Sequence, residues 1–269
     1  MPELPEVETI ARELAVELTG RTITGVDILW PRSIAGAVAT FKRHLAGERI
    51  VAVGRRGKFI LFRLASGAVF TIHLRMTGKL LFAVAPSEKK HRRLRFRFHG
   101  GTALHLVDSR KFARARLWPQ ARKGGDFPGG LGPEPLLSRT VYGVLEKLTS
   151  RRAIKTVLLD QRVLAGIGNI YADEALFRAG IRPDKAAARL NVAEKRRLSQ
   201  AIPAVLNQAI ANMGTSFSTF RNSRNQSGSH QFRLQVYGRD EEPCRRCRTP
   251  IRKTRLNGRG CHFCPECQR

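Results

Sequence analysis

Arg93-Leu94-Arg95-Phe96-Arg97-Phe98 alternates basic and apolar side chains without a break. Successive residues of a strand face opposite ways, so this hexad predicts a strand with one face in a core and the other in water. The texture extends on both sides as short apolar runs between turn signals, over residues 59–64, 69–74, 80–84 and 104–107. The stretch from Ile23 to Trp118 therefore predicts a two-sheet sandwich or barrel. Ahead of it, Val7, Ile10, Ala11, Leu14 and Leu18 recur at helical spacing, with Gly20 as a stop. A helix over residues 5–18 should flank the sheets.

Past Trp118 the pattern changes. Residues 119–135 are rich in Gly and Pro and read as an interdomain linker. A helical period follows over 141–148, 154–159, 172–178 and 192–213, where Pro203 predicts a kink or interruption in the last segment. The polar stretch 214–230 reads as a mobile loop. The expected class is α+β: an N-terminal β-sandwich over 1–118, the linker, a helical domain over 136–232 carrying a loop at 215–232, and a ribbon over 233–269.

Charge narrows the partner. Of 269 residues, 49 are Lys or Arg and 21 are Asp or Glu, a net charge of +28. Such a surplus implies a polyanion, and nucleic acid fits better than a membrane because no amphipathic basic anchor, long apolar run or secretory leader is visible. A cytoplasmic protein with no membrane partner is expected. A purely structural nucleic-acid binder would carry the same charge, so composition leaves the chemistry open.

All five cysteines lie within the last 26 residues, which suits a metal site in a reducing compartment. Cys244-Arg-Arg-Cys247 and Cys264-Pro-Glu-Cys267 are two knuckles with the spacing of a four-thiolate site for one structural Zn2+. Cys261 is the spare thiol. Between the knuckles, residues 251–256 and 261–263 can pair as a hairpin across Asn257-Gly258-Arg259-Gly260, and Arg259 at its tip is a candidate phosphate contact. In Gly166-Ile167-Gly168-Asn169, a Gly-x-Gly turn enters a helix, where Asn169 can bond a phosphate or simply cap the helix.

The chain opens Met1-Pro2-Glu3-Leu4-Pro5-Glu6. Removal of Met1 would leave Pro2 as a secondary amine, able to add to an aldehyde carbon and form an iminium. An α-amino group has a pKa near 8, so about a tenth is unprotonated at neutral pH. Glu3 could then shuttle protons and Glu6 could hold the amine. The alternative is structural: Pro5 and an acidic first turn are also a good helix start.

In combination these motifs closely resemble the formamidopyrimidine-DNA glycosylase and endonuclease VIII family, over essentially the whole chain. The resemblance implies a helix-two-turn-helix motif in the helical domain, a zinc finger, and a base-excision repair enzyme with glycosylase and lyase activities on damaged double-stranded DNA. It implies a bacterial, nucleoid-associated protein acting as a monomer. It assigns Pro2 as the nucleophile, with Glu3, Lys58, Glu6 and Glu174 assisting, and Lys58 sits in Arg56-Gly57-Lys58-Phe59. Met76, in His73-Leu74-Arg75-Met76-Thr77-Gly78, and Arg110 and Phe112, in Asp108-Ser109-Arg110-Lys111-Phe112, match side chains that fill the space of a flipped base. Read alone, Met76 and Phe112 would be core residues, and His73 a strand histidine or a phosphate contact. Lys155, Asn169 and Arg259 match phosphate contacts. Leu4 favours the purine-specific branch over the pyrimidine-specific one, and the intact catalytic set argues against a member that only binds DNA. The segment 222–230 departs from the family's usual loop, as do Pro203 and Cys261.

Overall fold

The computed structural model of the chain describes residues 1–119, 127–217 and 220–269. Residues 120–126 of the expected linker and 218–219 of the expected loop lie outside the described residues. Two compact units result: Met1–Gly129 with Asn212–Ser229, and Gly130–Ala211 with His230–Arg269.

The first unit begins with helix α1 (Leu4–Leu18), which starts at the N-cap Glu3 with Pro5 in its first turn. Its apolar face, including Val7, Ile10, Leu14 and Leu18, is fully buried and packs over β2 (Ile50–Arg56) and β3 (Phe59–Leu64). With β4 (Val69–His73) and β8 (Arg114–Trp118), these strands form one antiparallel sheet in the order β2-β3-β4-β8. The other sheet runs β1-β6-β7-β5, from β1 (Ile23–Ile28), β5 (Lys79–Leu81), β6 (Arg92–Phe98) and β7 (Ala103–Val107).

The alternating hexad lies in β6. Leu94, Phe96 and Phe98 enter the core while Arg97 is exposed. Arg93 is the exception: it is buried, and its Nε donates to the Asp108 carbonyl at 2.8 Å. Both sheets feed one core, where Phe70 stacks on Phe62 at 4.3 Å and on Phe96 at 5.5 Å. Phe41 meets the edge of Phe70 from α2 (Val38–Leu45), a helix hidden within the strand-like sequence. Its Val38, Phe41 and Leu45, spaced three and four apart, were the available signal.

The polar stretch expected to be a mobile loop of the helical domain is anchored in the first unit. Phe220 joins the sandwich core. Glu13 accepts hydrogen bonds from Asn222 Nδ2 at 2.7 Å, Ser223 N at 2.9 Å and Ser223 Oγ at 2.6 Å. Asn222 and Ser223 are consequently buried despite their polarity. A carboxylate on α1 thus supplies what the loop's sequence lacks, a partner for its polar groups.

In the second unit, α3 (Ser138–Glu146) and α5 (Asn169–Ala179) pack against α6 (Val192–Ala211), and α4 (Ile154–Leu158) packs against α5. Pro203 does not interrupt α6. Its surroundings, Leu198, Ile202, Val205, Leu206 and Ala209, are buried, and their burial outweighs the roughly 3 kcal/mol that an internal proline costs. The ribbon belongs to this same unit, its hairpin formed by β9 (Arg252–Leu256) and β10 (Arg259–Phe263). Only Asn257 and Gly258 form the turn, both at positive φ as a type I′ connection requires. The turn is therefore shorter than the four residues expected, because Arg259 and Gly260 pair with Leu256 and Arg255. No helix among the described residues is long and apolar enough to cross a membrane.

Replacing Glu13 by Ala should cost about 1–3 kcal/mol, the range for leaving buried donors unsatisfied, and should accelerate amide exchange at Ser223. Exchange at the parent rate would mean that Phe220 alone anchors the loop.

Candidate active site and zinc ribbon

Pro2 and Glu3 are buried where α1 begins. Glu6, 1% exposed, holds this segment from two sides. Its Oε2 accepts the Glu3 amide at 2.8 Å, and its Oε1 accepts the Thr215 amide at 2.7 Å. The contact demands Gly214: φ there is +78°, and a Cβ would stand 2.7 Å from Glu6 Oε1. Gly228 is packed as closely, since its Cβ would meet the Gly214 carbonyl oxygen at 2.2 Å. The polar loop therefore reaches the Pro2 segment through a glycine pair.

Three further loops of the first unit carry the other expected residues. Lys58 occupies the two-residue turn between β2 and β3 and is buried. His73 ends β4, with its ring edge-on to Phe59 at 4.6 Å. His73 Nδ1 accepts the Arg75 amide at 2.9 Å. A backbone N–H can only donate, so a neutral His73 carries its proton on Nε2 and can donate there. Burial, reinforced by the charges of Arg75 and Lys58, lowers its pKa from 6.5 to about 3.

Asp108, fully buried, organises the two loops beyond. It accepts Thr77 Oγ1, the Phe112 and Ala113 amides at 2.7 Å each, and the Arg110 amide at 3.2 Å. One carboxylate thereby ties the loop bearing Met76 to the loop bearing Arg110 and Phe112. Met76 and Phe112 are 40% and 46% exposed, not core. With Met1, Arg75 and Arg114 they line a cleft of about 390 Å3. Arg110 lies over the Phe112 ring at 4.9 Å. Nothing in the motif Asp108-Ser109-Arg110-Lys111-Phe112 by itself assigns Asp108 this role; its one signal is an acid closing an apolar strand ahead of a basic loop.

In the second unit the four expected thiols, Cys244, Cys247, Cys264 and Cys267, converge with all sulfur atoms within 4.8 Å of one another. Tetrahedral zinc with bonds near 2.3 Å needs sulfurs about 3.8 Å apart, and the observed pairs at 3.9 and 3.4 Å suit it. The amides of Arg246 and Cys267 point at Cys244 and Cys264 sulfurs, each at 3.4 Å, where they would stabilise thiolates. The ribbon is a site for one structural zinc. Cys261 stays outside the cluster, with its sulfur 3.7 Å from Asp173 Oδ1. Burial and that carboxylate push its thiol up to about 12.

Helix α5 clamps the ribbon. Asn169 is its first residue, after the N-cap Gly168, and donates Nδ2 to the Gly260 carbonyl at 3.0 Å. Asn169 therefore reaches across to the hairpin instead of capping its own helix. Lys155, 1% exposed, bonds the same carbonyl at 2.7 Å and pairs with Asp173 at 2.6 Å. Asp173, which sequence reasoning left unassigned, also accepts the His262 amide at 2.9 Å. Arg259 is exposed beside this clamp. Glu174 turns the other way and accepts the amides of Gln235, Val236 and Tyr237. Burial raises its pKa, partly offset by those three donors.

The His73 environment makes a pH prediction. The folded-state pKa is depressed, so the neutral ring contributes stability that is complete above pH 6.5 and is lost as the pH falls toward 3. Urea midpoints measured at pH 7, 5 and 4 should decline less steeply in His73→Gln than in the parent. Parallel declines would place the acid sensitivity elsewhere.

Against known families, residues 1–115 match the formamidopyrimidine-DNA glycosylase N-terminal domain, 131–221 its H2TH domain and 241–269 the zinc finger found in FPG and IleRS. The formamidopyrimidine-DNA glycosylase of Halalkalibacterium halodurans is 44% identical, with 100% of both chains covered. That of Pelotomaculum thermopropionicum is 42% identical, over 100% of this chain and 99% of the relative. Among solved structures, Lactococcus lactis Fpg in complex with DNA containing an abasic site aligns with a TM-score of 0.88 at 37% identity, covering 99% of each chain. The FPG protein of Thermus thermophilus gives 0.86 at 38% identity, covering 99% of this chain and 98% of that one. With the three domains matched in order and relatives aligned from end to end, the chain belongs to the formamidopyrimidine-DNA glycosylase family.

Proposed function

We propose that this protein is a bifunctional DNA glycosylase and lyase that removes oxidised purines, such as 8-oxoguanine and formamidopyrimidines, from duplex DNA. The observation that carries the reading is the buried N-terminal turn, where Glu6 holds Glu3 and the Thr215 amide around Pro2. Family membership and the relatives' names, which specify formamidopyrimidine, support this choice of substrate class.

Once Met1 is removed, the Pro2 nitrogen attacks C1′ of the damaged nucleotide, and the C1′–base bond breaks with its electron pair leaving on the base. Glu3 protonates the ring oxygen as the sugar opens, and an iminium joins Pro2 to C1′. The iminium is the electron sink. Loss of a C2′ proton expels the 3′-phosphate, a second elimination expels the 5′-phosphate, and water releases the sugar fragment. Cys244, Cys247, Cys264 and Cys267 would hold a zinc ion with four thiolates, a ligand set that would support the ribbon and leave the steps above to the side chains named.

The remaining residues bind and position DNA. Met76, Arg110 and Phe112 occupy the space left by the flipped nucleotide. Lys58 and the Nε2–H of His73 meet phosphate or lesion. Lys155 and Asn169 hold the Gly260 carbonyl of β10 beside Arg259, which contacts a phosphate, while Glu174 sets the segment around Val236. The protein acts as a monomer on nucleoid DNA inside a bacterial cell.

Borohydride should trap a covalent adduct on a duplex containing 8-oxoguanine, and Pro2→Gly should abolish it. An adduct on thymine glycol alone would move the enzyme to oxidised pyrimidines. Nicking by Pro2→Gly at the parent rate would exclude Pro2 as the nucleophile. Separately, Arg259→Ala should weaken binding regardless of sequence and make the salt slope shallower by about one. An unchanged slope would remove Arg259 from the phosphate contacts.

A further inference from the structure

The second unit holds a cleft of about 590 Å3 that the reaction above does not use. Its wall includes four guanidinium groups, from Arg178, Arg233, Arg245 and Arg246. None of the four has a carboxylate partner among the described residues. The one acid on the wall, Glu174, already accepts the backbone amides of residues 235–237 and so does little to neutralise them. Two of the arginines are oriented by the protein. Arg246 lies over the Phe177 ring at 4.3 Å, and Arg245 Nη1 donates to the Phe232 carbonyl at 3.4 Å. Both keep further N–H groups for a ligand, because a guanidinium carries five.

Two independent observations point to an occupant. His230, on the cleft wall and only 3% exposed, has a buried Nδ1 with no hydrogen-bond partner among the described residues. A native fold rarely leaves such an atom unsatisfied without a ligand or water nearby. Phe232, on the same wall, is 75% exposed. A large exposed aromatic ring beside unpaired guanidinium groups combines a stacking surface for a base with donors for phosphate. The volume lies in the range of small-molecule sites, roughly 300–1,000 Å3.

We propose that this cleft is a second anion site that takes a nucleotide unit, its phosphate held by Arg178 and Arg233 and its base against Phe232. The unit can come from a free nucleoside triphosphate or from a single-stranded segment of nucleic acid, since both present the same phosphate and base. The site shares no lining residue with the cleft lined by Met76 and Phe112 in the first unit.

The test uses the full-length, zinc-loaded chain and two probes, a fluorescent nucleoside triphosphate and a short labelled oligothymidylate, read by anisotropy. Arg178→Ser/Arg233→Ser should weaken binding at least about tenfold, as removal of two charge-assisted contacts would. The same variant should cleave lesion duplex at the parent rate. Phe232→Ala, which leaves every arginine in place, should weaken the same probe. Arg110→Ser should do the reverse, impairing lesion cleavage while leaving probe binding intact. Binding of the triphosphate assigns the site to free nucleotides, and binding of the oligonucleotide alone assigns it to a strand. The proposal is overturned if neither probe binds, if the double variant binds as the parent does, or if Arg110→Ser loses probe binding equally.

Discussion

Glu6 accepts one amide from Glu3, three residues before it, and another from Thr215, 209 residues after it. A buried carboxylate is tolerated only when it is richly hydrogen-bonded. Here the bonds that satisfy the acid also join the start of the chain to a distant loop. Remove either amide and the buried carboxylate loses one of the donors that offset its desolvation. Gly214 exists in that geometry because no side chain fits between its backbone and the Glu6 oxygen.

The same device recurs through the molecule. Asp108 gathers the amides of Arg110, Phe112 and Ala113, Asp173 takes the His262 amide, Glu174 takes three amides of the 235–237 segment, and Glu13 takes Ser223. In a chain of net charge +28 the acids are scarce. Many of the structurally decisive ones are turned inward to backbone donors, which leaves the arginines and lysines to give the surface its sign. Such a surface draws a polyanion at a rate and strength that salt controls. The inward acids decide instead where the loops stand.

That arrangement leaves apolar groups in unfavourable places. Met76 and Phe112 are large, apolar and nearly half exposed, on loops fixed by Asp108. Burying the exposed remainder would stabilise the fold by about 1 kcal/mol each, less than half of what a fully exposed side chain gains. Held outward by a rigid loop, they keep that free energy for a partner. The sandwich can bear this because its core is continuous, from Leu14 of α1 through Phe62, Phe70 and Phe96 to Phe220.

Periodicity and spacing determined much of this protein. The alternation of residues 93–98 specified a half-buried strand, the heptad-like run from Val7 to Leu18 a flanking helix, and the paired Cys-x2-Cys knuckles a zinc ribbon, because each is a local rule that a short stretch obeys by itself. The family resemblance lay in the same stretches, and the matching domains and relatives bear it out. Tertiary structure alone decided the rest. The segment 220–226 looked mobile because it is polar, and it is ordered because Glu13 lies opposite it. Lys155 matched a phosphate contact by resemblance, and it is buried because Asp173 and the Gly260 carbonyl receive it. In each case the deciding partner is remote in sequence, and no local pattern reports which buried carboxylate a distant donor will meet.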